Sequence, residues 1–374
     1  MKVYLDNNAT TKVDEEVVKA MVPYFSDYYG NPFSLHLFGN ETGLAVTEAR
    51  QTIADILKAK PSEIIFTASG SEGDNLAIRG IAKAYKHRGK HIITSTIEHP
   101  AVKNTFIDLM EDGFEITMVP VDENGVMILD EFKKALREDT ILVSVTTADS
   151  ELAILQPIKE IAKLLKNTDT YFHTDASQSI GKVFIDYSDT DLVTLTPHKF
   201  YGMNGTGALL KKKDIGLHSL IDGGRSTTIF RSGTPVAANI IAFDKALTIA
   251  LEKQEERYHK VLTYHDELYD FLSHYTHVHI NSTKTSLPHI INFSLPSIKA
   301  DILAQLFECK DIYLSAKTSC CPAHTPSKPV YALTHNRQYA SSSIRLSLSH
   351  LNTKEDIEIF KNAFDQIYKE NFDD

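Results

Sequence analysis

The stretch DLVTLTPHKFYGMNGTGALLKK (191–212) decides the fold. Its opening, DLVTLT (191–196), is a short apolar β-type run, and its close, GALLKK (207–212), is another. Between them, Thr196-Pro197-His198-Lys199 places a lysine at a strand end, ahead of the glycine-rich turn Gly202-Met-Asn-Gly205-Thr-Gly207. Upstream the same pattern recurs. EIIFTA (63–68), HIITST (91–96), EITMVPV (115–121), ILVSVTT (141–147) and YFHTDA (171–176) read as strands, and Asp74–Lys86, Pro100–Glu111, Asp130–Leu136 and Ile158–Leu165 read as helices between them. Strands that alternate with crossover helices predict an α/β fold with a mainly parallel sheet, whose chemistry gathers at the carboxyl ends of the strands.

Downstream, Ala237–Leu272 reads as one long helix with a charged middle, Lys253-Gln-Glu-Glu-Arg257, bridging two domains. HIINFSL (289–295), a helix near Lys299–Phe307, SSIRLSLS (342–349) and a final amphipathic helix then predict a smaller α/β domain. The expected division is a large domain over residues 12–250, and a small one from residues 251–374 joined by residues 1–11. A chain of 374 residues suits two such cores.

The net charge of −10 disfavours a grip on nucleic acid. The opening MKVYLDNNAT lacks the apolar core of a secretion signal, and no apolar run has the length to span a bilayer. Three cysteines, Cys309, Cys320 and Cys321, have neither disulfide-framework nor zinc spacing, so a reducing cytoplasm is expected and no metal. Cys309 is expected in the core, on an apolar helical face.

A lysine at a strand end can form a Schiff base if desolvation keeps its amine partly neutral, although a surface lysine beside a turn reads the same locally. Upstream of Lys199, Asp175 ends a strand in His173-Thr-Asp175-Ala-Ser-Gln178. Such an acid could hold the ring nitrogen of pyridoxal 5'-phosphate (PLP) protonated, or simply cap a helix. Thr67-Ala-Ser-Gly70-Ser71-Glu-Gly73 leads into a helix and could cup a phosphate, with Ser71 or Asp74 as an ordinary cap in the alternative. Glu98-His99-Pro100 offers an imidazole for a planar cofactor, or a structural histidine before a proline-started helix.

Taken together and in this order, these motifs resemble the cysteine desulfurases, PLP enzymes with the class V aminotransferase fold. The likeness runs from Val3 to about residue 370 and includes Tyr4-Leu-Asp-Asn-Asn-Ala-Thr10, Gly30-Asn-Pro-Phe-Ser-Leu-His36 and Arg231-Ser-Gly-Thr234. The resemblance implies a PLP-dependent transferase of fold type I. Lys199 would carry PLP, Asp175 would face the pyridine nitrogen, Gln178 would bond the phenolic oxygen, and His99 would stack on the ring and move protons. Gly70, Ser71, Thr196 and His198 would hold the phosphate, joined in a homodimer by Thr234 of the second copy. Asn8 and Ser150 would contact the substrate, L-cysteine. Arg345 would clamp its carboxylate with a planar fork, a buried structural ion pair being the alternative.

In Asp311-Ile-Tyr-Leu-Ser-Ala-Lys317-Thr-Ser-Cys320-Cys321, the register from Asp311 puts Cys320 on the family's nucleophile. Sulfur would leave as a persulfide for a protein acceptor, in iron–sulfur assembly or tRNA thiolation. Three segments depart from the family pattern: Asp149-Ser150-Glu151-Leu152-Ala153, Gly223-Gly224-Arg225-Ser226-Thr227-Thr228-Ile229 and Lys317-Thr-Ser-Cys320. Asp149 is expected to add negative charge near the substrate, and Lys317 to lower the cysteine pKa while stiffening a flexible loop. Selenocysteine lysis, another class V reaction, or a PLP-binding homologue without turnover stay open as alternatives.

Overall fold

The computed structural model describes residues 2–224, 226–318 and 324–372. After β1 (Val3–Tyr4) come β2 (Ile64–Thr67), β3 (His91–Ser95), β4 (Glu115–Val119), β5 (Thr140–Ser144), β6 (Tyr171–Asp175), β7 (Leu192–Leu195) and β8 (Gly207–Lys211). The last seven form one sheet in the order β2-β8-β7-β6-β5-β3-β4. All its pairings are parallel except those of β8, which runs antiparallel to both β2 and β7. GALLKK is therefore inverted relative to the parallel reading. A strand that follows its neighbour through a short glycine-rich turn returns alongside it, because a parallel partner needs a crossover of a dozen or more residues.

Side chains alternate faces along a strand, and the apolar strands supply both. Phe66, Val193, Leu195, Ala208 and Leu210 pack with helix Ala237–Glu252 on one face, whereas Ile65, Ile92, Leu142, Leu192 and Leu209 pack with helices Gly70–Tyr85 and Pro100–Glu111 on the other. A second core holds β1, β10 (Ile290–Ser294), β12 (Ser343–Ser347) and helix Lys354–Phe372, with Val3, Leu5, Phe293 and Phe364 buried in it. There β10 pairs antiparallel with β12 and with β9 (His279–Ile280), while β1 pairs parallel with β11 (Ile312–Tyr313).

The expected helix 237–272 is two helices, Ala237–Glu252 and Gln254–Ser273, broken at Lys253 with φ −101° and ψ 11°. The first packs into the core behind the large sheet, and the second contributes Val261, Leu268 and Leu272 to the other core. One straight helix could not face both, and Arg257, ion-paired with Asp14 at 3.3 Å, fixes the new direction. Cys309 also departs from expectation, being exposed at the C-cap of helix Ala300–Glu308.

Antiparallel pairing sets Gly207 of β8 opposite Thr67. A Cβ at position 207 would lie 2.8 Å from the Ser69 backbone carbon and oxygen. Gly207→Ala is thus expected to cost about 1–3 kcal/mol of stability in urea unfolding, because backbone must move.

Candidate active site

Eight segments of the chain meet at one cavity of about 230 Å³ at the carboxyl edge of the large sheet. β7 ends in a single 3-10 turn, Pro197–Lys199, which turns the Lys199 side chain into the cavity. There Nζ donates to the Asn8 and Ala9 carbonyl oxygens, each at 2.7 Å. Asp175, the last residue of β6, is buried, and its Oδ1 accepts from Ser177 N at 2.9 Å. That bond closes a local turn, and no helix starts there for Asp175 to cap.

β2 leads through Ser69 into helix Gly70–Tyr85, four residues earlier than the expected start at Asp74. Ser69, rather than Ser71 or Asp74, is the N-cap: its Oγ accepts from Glu72 N at 3.1 Å, and Glu72 Oε2 accepts from Ala68 N at 2.8 Å. A reciprocal cap of this kind stabilises a helix start by about 1 kcal/mol. It leaves Gly70 and Ser71 at the cavity wall, where the helix N-terminus favours an anion.

β3 runs on to Glu98 and His99. The His99 ring caps helix Pro100–Glu111, with Nδ1 accepting from Ala101 N at 3.2 Å. Burial lowers the His99 pKa, opposed by Asp175 and reinforced by Lys199. With Nδ1 spent as an acceptor, the neutral ring carries its proton on Nε2. His198 is pushed down to about 4, by burial and then by the charges of Lys199 and Lys182.

From the other core, Arg345 of β12 reaches the same cavity while only 1% exposed. Its Nη1 donates to Ser150 O at 2.9 Å and its Nη2 to Asp6 Oδ1 at 2.8 Å. The ion pair and the cavity-lining position coexist. Asn8 Nδ2 donates to the same Ser150 carbonyl at 2.8 Å, so residue 150 holds both neighbours through its main chain. The Ser150 hydroxyl instead meets Thr318 Oγ1 at 2.9 Å.

Eleven of the residues singled out in the sequence therefore line one cavity: Asn8, Gly70, Ser71, His99, Ser150, Asp175, Gln178, Thr196, His198, Lys199 and Arg345. Thr234 is exposed and outside it, although its segment is tied to the helix start by Arg231 Nε and Glu72 Oε1 at 2.9 Å. Cys320 and Cys321 lie outside the described residues, and Thr318, two positions before Cys320, lines the cavity.

One charge expectation changes. Asp149 turns away from the cavity and accepts from the backbone N–H groups of Glu151, Leu152 and Ile154 at 2.7–2.9 Å. Lys317 Nζ donates to Thr325 O at 2.7 Å. Glu151 accepts from Thr318 Oγ1 at 3.0 Å and from Ser327 Oγ at 2.5 Å, tying together the chain on either side of the cysteine pair.

Three titratable groups were not singled out beforehand for the site. Asp74 lines the cavity, and burial followed by the nearby Asp175 carboxylate pushes its pKa well up. Glu98 rises to about 8, mainly through burial, and accepts from Thr146 N through both oxygens. The third, Lys182, bonds Gln178 and Asn8. For none of the three does sequence spacing point inward: residues 177–182 form turns, so the four-residue step from Gln178 to Lys182 is not a helical one.

The cavity suits PLP on its own geometry. Thr196 Oγ1 is buried, faces the cup and has no partner among the described residues. A Cβ on Gly70 would sit 3.3 Å from both Ser177 Oγ and Thr196 Cβ, so the glycine keeps the cup open. An anion-favouring helix start, a carboxylate and an inward lysine amine are the donor set that a phosphorylated pyridine aldehyde requires.

Comparison with known proteins agrees. The family described as Aminotransferase class-V matches residues 3–360. The cysteine desulfurase IscS of Methanosarcina thermophila is 40% identical over 360 residues, covering 95% of this chain and 89% of the relative. That of Clostridium botulinum strain Hall is 39% identical over 99% of this chain and 95% of its own. A solved structure described as a NifS-like protein superposes with a TM-score of 0.93 at 34% identity, covering 99% of this chain and all of that one. Another, described as SspA in complex with cysteine, gives a TM-score of 0.82 at 30% identity over 94% of this chain and all of that one.

Proposed function

We infer the chemistry from the family to which this chain belongs: it is a class V aminotransferase-fold enzyme of the cysteine desulfurase family, dependent on PLP and acting on L-cysteine. The observation that carries the residue assignments is the convergence of Lys199, Asp175, His99 and Arg345 on one cavity. PLP, when bound, supplies an electron sink for the negative charge that develops at the substrate Cα.

The chain's own residues do the rest. The Arg345 fork would take the L-cysteine carboxylate, sharing its donors with Asp6 and Ser150 O. Lys199 would hold the cofactor covalently and, once exchanged for substrate, remove the α-proton with its freed amine. The Asp175 carboxylate would face the pyridine nitrogen. Ser71, Thr196, His198 and the Gly70 N–H side of the helix start would hold the phosphate. Cys320 thiolate would attack the substrate sulfur: the S–S bond forms, the Cβ–S bond breaks, and the products are L-alanine and a Cys320 persulfide. His99, neutral and protonated on Nε2, is suited to pass protons at the reacting sulfur.

The exposed Thr234 and the exposed apolar side chains Tyr29, Phe33, Leu35 and Leu37 support a homodimer, with Thr234 completing the phosphate site of the second copy. We assign residues 12–250 to the large domain, and residues 1–11 with 251–374 to the small one. Among the described residues no helix is long and apolar enough to cross a membrane. A cytoplasmic enzyme that hands its persulfide sulfur to an acceptor protein, for iron–sulfur assembly or tRNA thiolation, fits these features. Assay of the PLP-loaded protein should give alanine and sulfide in equal amounts from L-cysteine in the presence of a thiol. Turnover of selenocysteine alone, amino transfer to keto acids, or no alanine from loaded protein would each overturn the assignment.

A further inference from the structure

Lys182 stands four residues after Gln178, and its Nζ lies 2.8 Å from Gln178 Oε1 and 2.8 Å from Asn8 Oδ1. A side-chain amide is nearly symmetric in shape, so its orientation is fixed by its hydrogen-bonding partners. Lys182 Nζ donates to both amide oxygens, and so holds both amides with their oxygens toward it. The amide nitrogens are thereby committed elsewhere. That of Asn8 donates to Ser150 O at 2.8 Å. The nitrogen of Gln178 has only a long contact, 3.4 Å to Asn8 O, and keeps donor capacity at the cavity wall.

Lys182 is surrounded by basic side chains, of which His198 and His289 are held neutral by burial. Lys199 and His198 approach from the turn after β7 and Arg345 from β12, while Arg257 and His289 line a small adjoining cavity with Lys182 and Lys199. The neighbouring acids are committed to other partners: Asp6 pairs with Arg345 and Asp14 with Arg257. Burial, and then the charges of Lys199 and Arg345, hold the Lys182 amine well below the ordinary lysine range. Repulsion is mutual, so a proton held by Lys182 also makes a proton near Lys199 more costly.

We propose that Lys182 is a positioning residue for the reaction, its Nζ locking Gln178 with the amide NH2 toward the cofactor's phenolic oxygen. A donor at the phenolic oxygen would disfavour protonation of the Lys199-bound cofactor, leaving it able to take the proton that an incoming substrate ammonium must lose before its amine attacks. Without Lys182 the Gln178 amide is free to turn its oxygen inward, replacing a hydrogen bond with repulsion. This inference rests on the reading that Lys199 carries PLP.

The test is a pH titration of the visible absorbance of the PLP-loaded protein, comparing wild type with Lys182→Met. The midpoint is expected to rise by about one pH unit in the variant. Lys182→Arg, which keeps donors and charge, should restore a midpoint close to that of wild type. If Lys182→Met does not fold, Lys182→Leu also removes the donor to Gln178 and should shift the midpoint in the same direction. A merely structural lysine would alter the melting temperature but leave the midpoint in place. An unchanged midpoint in a folded, loaded Met or Leu variant overturns the role of Lys182 and leaves the Lys199 reading standing. Wild type without a visible band overturns both.

Discussion

Lys199→Arg is expected to lower alanine formation from L-cysteine by at least about a thousandfold, the scale of losing a positioned general base together with covalent attachment. Arginine keeps the positive charge and has donors enough for the Asn8 and Ala9 carbonyls that Lys199 Nζ now serves. Gross unfolding is therefore not expected. What arginine cannot do is lose its proton, so it neither attacks an aldehyde nor removes an α-proton at physiological pH. Rate measurement under saturating PLP and cysteine separates this chemical defect from weakened binding. Activity within about tenfold of wild type would transfer the base to another group, with Lys182 the nearest candidate among the amines lining this region.

The second large effect is at Cys320. Cys320→Ser should eliminate the enzyme-bound persulfide and reduce cysteine turnover by about a thousandfold, because a serine hydroxyl near neutral pH is not the thiolate nucleophile this displacement needs. Cysteine binding should survive, since its carboxylate would be held by Arg345, which Asp6 and Ser150 O fix in place. Cys321→Ser should retain the persulfide. Thiol alkylation followed by mass spectrometry reads both variants directly. A persulfide that persists in Cys320→Ser and vanishes in Cys321→Ser would move the nucleophile by one residue.

Much of this architecture could be read from local pattern. Apolar runs of strand length separated by amphipathic helices announce a sheet covered on both faces, and Lys199, Asp175 and His99 stand at strand ends where such sheets place their chemistry. What stayed hidden depends on tertiary context. The reversal of β8 comes from a tight return beside β7, and the break at Lys253 from a helix leaving one core for another. Asp149 looked like an active-site charge because it stands in a segment that departs from the family pattern, yet its carboxylate turns away and closes a backbone turn. Asp74 and Glu98 carry no spacing signal of their own. Their raised pKa values arise from burial, a property of the packed molecule that appears only once the strands are assembled.

The apparent mismatch between an ion-paired Arg345 and a substrate-binding one is resolved by geometry. A guanidinium has five donors, and Asp6 with the Ser150 carbonyl uses two of them. Its Nε has no partner among the described residues, so donor capacity for a carboxylate is left over. The surrounding contacts fix the fork in place before substrate arrives, which lowers the ordering cost of binding.

That a single amine, at position 199, carries the cofactor is tested most directly by reducing the PLP-loaded protein with borohydride, digesting it and mapping the fixed pyridoxyl group by mass spectrometry. One modified site is predicted, on the peptide that contains Thr196-Pro197-His198-Lys199. A pyridoxyl group found on Lys182 or on any other lysine, with Lys199 unmodified, would contradict the account.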